Sequence, residues 1–213
     1  MPSTWTTVSS LKYDKLGQVV EKKLGVNATK PQGLETQSMD YNIRGWLLGL
    51  NRISMVRDGS ASTFFGFELG YDKLETGTAN ISFGQEQYNG NISGMIWRSG
   101  SDLVRRKYNF SYDLANRLTQ ANFNEPDFAG SGIDYSVPNI KYDANGNITE
   151  MDQKGWILSG SDFVDRLRYT YASNNNSNKL LNVNDISTTP SIRLGDFRTS
   201  PLHPQAGAKT TAT

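Results

Sequence analysis

Acidic and amide side chains are the residues of this chain whose spacing first suggests chemistry. Asp143, Asn145 and Asn147 occupy positions 1, 3 and 5 of the segment "DANGNITE", a spacing found in calcium-binding loops. The later positions depart from such a loop, because Gly146 lies at position 4 instead of 6 and Lys154 occupies position 12, where a bidentate glutamate belongs. The segment therefore favours a backbone turn over a metal site.

A second candidate is a cluster of carboxylates, since two suitably spaced acids are enough for a glycosidase. Its members are Glu68, Asp72, Glu75 and Glu86. Alternation along the strand puts Glu68 opposite the aromatic face, and a strand face turned away from a core normally carries solvated charge. The single histidine, His203, lies between prolines in the C-terminal segment, which leaves no catalytic triad or multi-histidine zinc site. We predict no catalytic residue, no cofactor site and no metal site, and keep a carboxylate-pair enzyme as a remote alternative.

Composition narrows the function classes further. The 213 residues include 22 basic and 21 acidic ones, which gives a net charge of +1. Nucleic-acid-binding proteins usually carry a clear excess of basic residues. No apolar run approaches the length of a membrane span, and residues 1–20 lack the apolar stretch of a signal peptide. We therefore expect no nucleic-acid partner and no membrane insertion by this segment. The absence of cysteine excludes disulfides and thiolate chemistry.

Most of the residues just named belong to a pattern that repeats about every 30 residues and begins with a tyrosine. An Asx residue follows the tyrosine, Gly or Asn stands at the fourth position after it, and an aliphatic residue usually stands at the sixth. The matching units are Tyr13, Asp14 and Gly17; Tyr41, Asn42 and Gly45; Tyr112, Asp113 and Asn116; and Tyr142, Asp143 and Gly146. A weaker unit, Tyr71 and Asp72, has Glu75 at the fourth position, and Tyr171 precedes an Asn-rich loop.

The repeated pattern has the chemistry of a turn. Asx side chains accept backbone N–H groups two residues on, and Gly and Asn tolerate positive φ best, so we expect φ > 0 at Gly17, Gly45, Asn116 and Gly146. The tyrosine and the aliphatic residue then lie on the two arms of a β-hairpin. A similar hairpin with a shorter loop is predicted at residues 88–92, "YNGNI".

Hairpins that are marginal alone must lean on their neighbours, which predicts the fold. The expected class is all-β: antiparallel hairpins that form one continuous coiled sheet over residues 1–187. Residues 188–213 are rich in Pro, Ala, Thr and Gly without periodicity, and we predict a low-complexity, disordered tail.

Aromatic side chains provide a non-catalytic binding hypothesis. Trp46, Trp97 and Trp156 are candidate platforms on which sugar rings stack. The alternative is that the regularly spaced aromatic residues pack between neighbouring strands, where each cross-strand pair contributes roughly 0.2–1 kcal/mol. Regular spacing favours packing, because a ligand site is local and irregular.

The motifs taken together resemble the YD-repeat, or rearrangement-hotspot (Rhs), proteins of the Bacteroidetes type. The resemblance covers residues 8–187 and rests on "MDYNIRGWLLGLNR" at 39–52, "QYNGNISGMIWR" at 87–98, "YDLANRLTQANF" at 112–123 and "YDANGNITEM" at 142–151. It implies hairpins that spiral into a hollow shell, of which this chain is an arc. The family's C-terminal core motif, Asp-Pro-x-Gly-Leu, has no counterpart in these 213 residues.

The resemblance also implies a role. The expected function is that of a non-catalytic scaffold in a secreted or cell-surface protein, where the shell encloses or displays a C-terminal effector, often a toxin. The expected partners are the remaining repeats and the effector of the parent polyprotein. The alternative expectation is a carbohydrate-binding adhesin segment that uses its exposed aromatic side chains.

Overall fold

The fold is all-β, as the sequence predicts. A computed structural model describes residues 7–27, 29–55, 64–128, 130–157 and 160–187. The predicted tail, residues 188–213 with His203, lies outside the described residues. The described strands are β1 (Ser9–Tyr13), β2 (Val19–Leu24), β3 (Glu35–Tyr41), β4 (Leu47–Leu50), β5 (Phe65–Gly70), β6 (Gly94–Ser99), β7 (Arg105–Tyr112), β8 (Leu118–Asn124), β9 (Asn139–Tyr142), β10 (Ile148–Ile157), β11 (Gly160–Tyr171) and β12 (Leu180–Asp185).

The strands form two open sheets, both ordered along the chain. The larger sheet has the order β1 to β8, and the smaller has the order β12-β11-β10-β9. All registered strand pairs are antiparallel. The chain divides into two compact units, Met1–Lys107 and Tyr108–Thr213.

The break between the two sheets falls between β8 and β9, where the sequence predicts continuity. In the described residues one isolated bridge, between Ala121 of β8 and Val137 just before β9, is the only ladder contact between the two strands. The connecting segment contains Pro126 and Pro138, which have no N–H to donate to a ladder, and two glycines with positive φ, Gly130 and Gly132. The hairpin array is therefore divided locally by its own turn residues.

The core of the first unit lies where residues 71–93 fold over the sheet. This segment contains no strand; a single bridge between Glu75 and Ser82 is its only ladder contact among the described residues. It carries Ala79 and Phe83 into a cluster with Met55 and Ile96. The predicted hairpin at residues 88–92 is therefore wrong, because this stretch is the last part of a covering loop that leads into β6.

The buried face of β5 is the opposite of the one that the sequence predicts. Glu68 is only 3% exposed and lies between buried Gly66 and Gly70, whereas Phe65 on the aromatic face is 38% exposed. A Cβ on Gly70 would lie 2.3 Å from a ring carbon of Phe83, so the absence of a side chain there is what admits the covering segment. The prediction that Glu68 lies on a solvated face is wrong.

Candidate functional site

The turn after each tyrosine is the most regular feature of the molecule. Asp14 Oδ1 accepts the backbone N–H groups of Leu16 and Gln18 at 2.8 and 2.9 Å. Asn42, Asp113 and Asp143 accept the same pair of N–H groups, two and four residues on, at 2.9–3.0 Å. One side-chain oxygen thus organises four turns in the same way.

The backbone angles at the fourth position confirm the turn prediction. The φ values are +81° at Gly17, +80° at Gly45, +62° at Asn116 and +86° at Gly146. In each turn the N–H of this residue donates to the carbonyl of the Asx residue, at 2.9–3.3 Å. The strand register shifts by one residue at Tyr13, Tyr41 and Tyr142, which is the signature of a bulge beside a left-handed residue.

The carboxylates of these turns are occupied by the turn itself. The N–H of Arg117 and its guanidinium hold the pKa of Asp113 below its ordinary value. The side-chain amide of Asn147, 2.8 Å from Asp143 Oδ2, is the main cause of the lowered pKa of Asp143. Among the described residues no group of three His, Cys, Asp or Glu side chains is arranged to hold a metal ion. The geometry at Asp143 is that of a turn.

The tyrosines perform a function that sequence analysis missed. Each of four hydroxyl groups donates a hydrogen bond to a backbone carbonyl of the preceding hairpin. The pairs are Tyr41 to Val19 at 3.0 Å, Tyr71 to Leu47 at 3.0 Å, Tyr142 to Leu118 at 2.7 Å and Tyr171 to Ile148 at 2.9 Å. The acceptor is always the residue six positions after the preceding repeat's tyrosine. We call this contact the tyrosine tether.

The tether operates from a partly buried environment. Burial raises the pKa of Tyr71, Tyr142 and Tyr171 above the ordinary value of a phenol. In these three residues burial thus favours the protonated hydroxyl, which is the form that donates the bond. The same bond satisfies the carbonyl of a half-buried residue.

The residue before each acceptor carbonyl adds a second contact between neighbouring hairpins. The Arg117 guanidinium lies 4.6 Å from the centroid of the Tyr142 ring and donates to Asp143 O at 3.1 Å. Trp46, at the equivalent position, packs 5.2 Å from the Tyr71 ring. Two smaller examples are the side-chain amides of Gln18, which donates to Gly45 O, and Asn147, which donates to Asn178 Oδ1. Each of the four turns is thus held against the next repeat by a ring contact or a hydrogen bond.

The irregular repeat at Tyr71 retains the tether without the turn. Asp72 forms an ion pair with Arg44 at 2.9 Å, and Glu75 stands at the position that is left-handed elsewhere. Tyr71 nevertheless donates to Leu47 O, as the other tyrosines do to their acceptors.

The Tyr171 repeat closes its longer loop by a different route. Ser173, Asn174 and Asn175 all have positive φ, and Asn175 Oδ1 accepts the N–H of Tyr171 at 2.7 Å. The N–H of Ala172 donates to Lys179 O and completes the closure. An asparagine thus supplies from the far side of the loop the kind of oxygen that Asx supplies elsewhere.

The predicted carboxylate cluster is only partly assembled. Glu68, Asp72 and Glu75 line a cavity of about 160 Å³, and Glu86 does not. The buried carboxylate of Glu68 accepts hydrogen bonds from Arg52 Nη2 at 2.8 Å, from Thr78 Oγ1 at 2.7 Å and from the N–H of Gly77. These bonds join the sheet to the covering segment, so the contacts of the Glu68 carboxylate are structural.

The three candidate tryptophans differ in accessibility. Trp46 is half-buried, with Tyr71 against it and the Arg44 guanidinium 5.0 Å from its ring centroid. Trp97 is half-buried and lies opposite Phe67 in the β5–β6 pair. Trp156 on β10 is 48% exposed, so among the three it offers the most open aromatic surface.

No family model matches the chain, and a search of curated proteins found no match. In the described residues no helix is long and apolar enough to cross a membrane.

Proposed function

We propose that the chain is a non-catalytic structural scaffold, a segment of a YD-repeat shell in a large secreted or cell-surface protein. In this role the shell encloses or displays a C-terminal effector, and the partners of the segment are the remaining repeats and that effector. The proposal joins the resemblance of the motifs to the way in which the repeated residues are used.

The tyrosine tether is the observation that carries the proposal. Residues that repeat for catalysis or ligand binding would present their polar atoms to solvent or to a cavity. Here the repeated Asx oxygens bind the backbone of their own turn, and the repeated tyrosine hydroxyls bind the backbone of the preceding hairpin. Such use of polar groups supports a role in stacking hairpins.

Limited proteolysis of the parent polypeptide tests the scaffold role. We expect the effector to resist a protease while the repeats are intact. Removal of two tethers by Tyr142→Phe with Tyr171→Phe should expose the effector, because neighbouring hairpins then separate more easily. Tyr88→Phe is the matched control, since the exposed Tyr88 hydroxyl donates to Glu86 in its own segment and not to a neighbouring hairpin.

Two results would contradict the scaffold role. One is an effector cut equally fast in the wild type and the double variant. The other is a gene whose flanking sequence contains neither further repeats nor a downstream variable domain.

A carbohydrate-binding adhesin segment is the second candidate, favoured by the exposure of Trp156. A glycan array with the full chain tests it. Saturable binding that is lost in Trp156→Ala and kept in Trp46→Phe would support the adhesin. Hydrolysis of a glycan in the same screen, lost in Glu75→Gln, would instead overturn the non-catalytic assignment.

A further inference from the structure

The two ends of the hairpin array present open strand edges. β1 is the terminal strand of the larger sheet and β12 that of the smaller, and neither has a further partner strand in the described part of the chain. Every residue of β1 is exposed, as are Leu180 and Leu181 at the start of β12. An exposed edge offers unpaired N–H and C=O groups to another strand.

The tether geometry identifies what each edge lacks. An acceptor residue lies opposite the tyrosine of its own hairpin, as Tyr13 lies opposite Val19 and Tyr41 opposite Leu47. Tyr171 lies opposite Leu180 in the same way. Leu180 O is therefore the acceptor of the last described hairpin, and the tyrosine that would follow it belongs to no described strand.

The first strand offers the missing donor. Tyr13 ends β1 as Tyr41 ends β3 and Tyr142 ends β9, immediately before an Asx turn. Its side chain is exposed, and no described strand lies on the outer side of β1. One edge of the chain thus carries an acceptor and the other a donor of the same repeated bond.

The register of the internal hairpins predicts how the two edges would pair. Where donor and acceptor strands belong to one sheet, as in three of the four tethers, the acceptor lies opposite the residue before the tyrosine that binds it. Continued by two residues, the observed registers place Val19 opposite Asp40, Leu47 opposite Gly70 and Ile148 opposite Thr170. The same rule places Leu180 opposite Lys12 of another copy.

The predicted register brings matching side chains together. Leu181 falls opposite Leu11, and both are exposed leucines that would bury each other. Lys179 precedes the acceptor as Arg117 does, so its ammonium would lie near the Tyr13 ring and near Asp14 of the incoming copy.

We infer that the β12 edge of one copy binds the β1 edge of a second copy, head to tail, through a tyrosine tether from Tyr13 to Leu180 O. This inference rests on the hairpin stacking of the proposed scaffold and is independent of the effector. Because donor and acceptor edges differ, the contact is heterologous and leads to open chains or closed rings.

Cysteine cross-linking of the full chain tests the register directly, since the wild type contains no cysteine. Leu11→Cys and Leu181→Cys proteins are mixed and oxidised gently. Directly opposite residues satisfy disulfide geometry, so mixed dimers should greatly exceed both homodimers. A mixture of Leu114→Cys with Leu181→Cys is the control, because Leu114 is fully exposed in a turn and should give the random proportion. The random proportion from Leu11→Cys with Leu181→Cys would overturn the inference.

Sedimentation velocity measures the association itself. Tyr13→Phe removes only the tether hydroxyl and should weaken association about fivefold. Leu181→Lys should abolish association, because a charged edge blocks strand addition, whereas Leu114→Lys should not. Circular dichroism of each variant verifies that the strands are retained. A monomeric wild type, or equal loss in the two lysine variants, would contradict the inference.

The outcomes separate this inference from the proposed function. A monomeric chain in a parent protein that still protects its effector would contradict self-association alone. Head-to-tail chains with an unprotected effector would contradict the scaffold role alone.

Discussion

The hairpin at Asp143 and the segment after Asp72 begin with the same two residues, Tyr-Asp, and then diverge. After Asp143 a glycine at φ +86° closes the turn, and β10 starts at Ile148. After Asp72 the equivalent position is Glu75, and the chain continues without a strand until Gly94. The comparison shows that the tyrosine and the aspartate do not suffice for the hairpin; a residue that tolerates positive φ is also required.

The two regions are held by interactions of different range. The Asp143 turn depends on bonds that span four residues. The segment 71–93 depends on Glu68, on Arg105, which donates to Ala79 O at 2.8 Å, and on Lys107, which donates to Ser82 O at 2.9 Å. Burial lowers the pKa of Lys107. The regular hairpins are thus local structures, whereas the covering segment depends on long-range polar contacts.

The largest loss of stability is expected from Glu68→Ala, which removes long-range contacts of the covering segment. The change leaves the Arg52 guanidinium without its buried partner and the Gly77 N–H without an acceptor. We expect the free energy of unfolding to fall by about 3–5 kcal/mol, measured by urea denaturation. Glu86→Ala is the matched control, because Glu86 is exposed and should tolerate the change. Equal losses in the two variants would show that the buried pair does not hold the segment.

A smaller loss of stability is expected from Gly146→Ala, which changes the local turn after Asp143. A Cβ at Gly146 would have no atom within 4 Å, so the cost is backbone strain alone, about 1–2 kcal/mol. Gly146→Asn should cost less, because Asn116 occupies the same place at φ +62°. Urea denaturation of both variants checks this order, and an alanine variant as stable as the wild type would contradict the turn mechanism.

Removing the tether from each region tests whether the tether stabilises the regular and the irregular repeat equally. Tyr71→Phe and Tyr142→Phe each remove one hydroxyl that donates to a backbone carbonyl. Each variant should lose about 0.5–1.5 kcal/mol of unfolding free energy. Tyr13→Phe, measured in the monomer, should lose little. If Tyr142→Phe destabilises the chain and Tyr71→Phe does not, the tether depends on the turn after all.

The smallest effect is the pH dependence of the Asp143 turn. Its folded pKa lies below the ordinary 3.8, mainly because Asn147 donates to the carboxylate. Stability from this carboxylate is therefore complete above the unfolded pKa and is lost as pH falls through the folded pKa. Asp143→Asn should remove that acid-dependent component, as seen in unfolding free energies measured from pH 7 to below the folded pKa. Asn42→Asp should add an acid-dependent component at the second hairpin. Parallel pH profiles for the wild type and the two variants would contradict the expectation.

Sequence reasoning succeeded where the cause and the effect lie close together in the chain. The positive φ values at Gly17, Gly45, Asn116 and Gly146 follow from the residue itself and from an Asx residue three positions before it. The hairpin arms, and hence the all-β class, follow from those turns. The tyrosines were correctly placed at equivalent positions, since each ends or directly follows a strand.

Sequence reasoning failed where the partner lies far away. The burial of Glu68 depends on Arg52 and Thr78, and period-two alternation cannot distinguish which of two faces is covered. The Asn-Gly pair at residues 89–90 predicted a hairpin, but packing of Phe83 and Ala79 into the core takes that part of the chain across the sheet instead. No local signal reveals that a tyrosine hydroxyl reaches a carbonyl more than twenty residues earlier.

The amino-acid sequence by itself determined where this chain reverses direction, because steric limits on φ and the reach of an Asx oxygen act within a few residues. Tertiary structure alone decided which carbonyl each tyrosine binds and which face of β5 is buried. Both outcomes depend on which distant segments contact each other. The free energy that stabilises such a contact comes from both segments together, so neither segment's sequence reveals it alone.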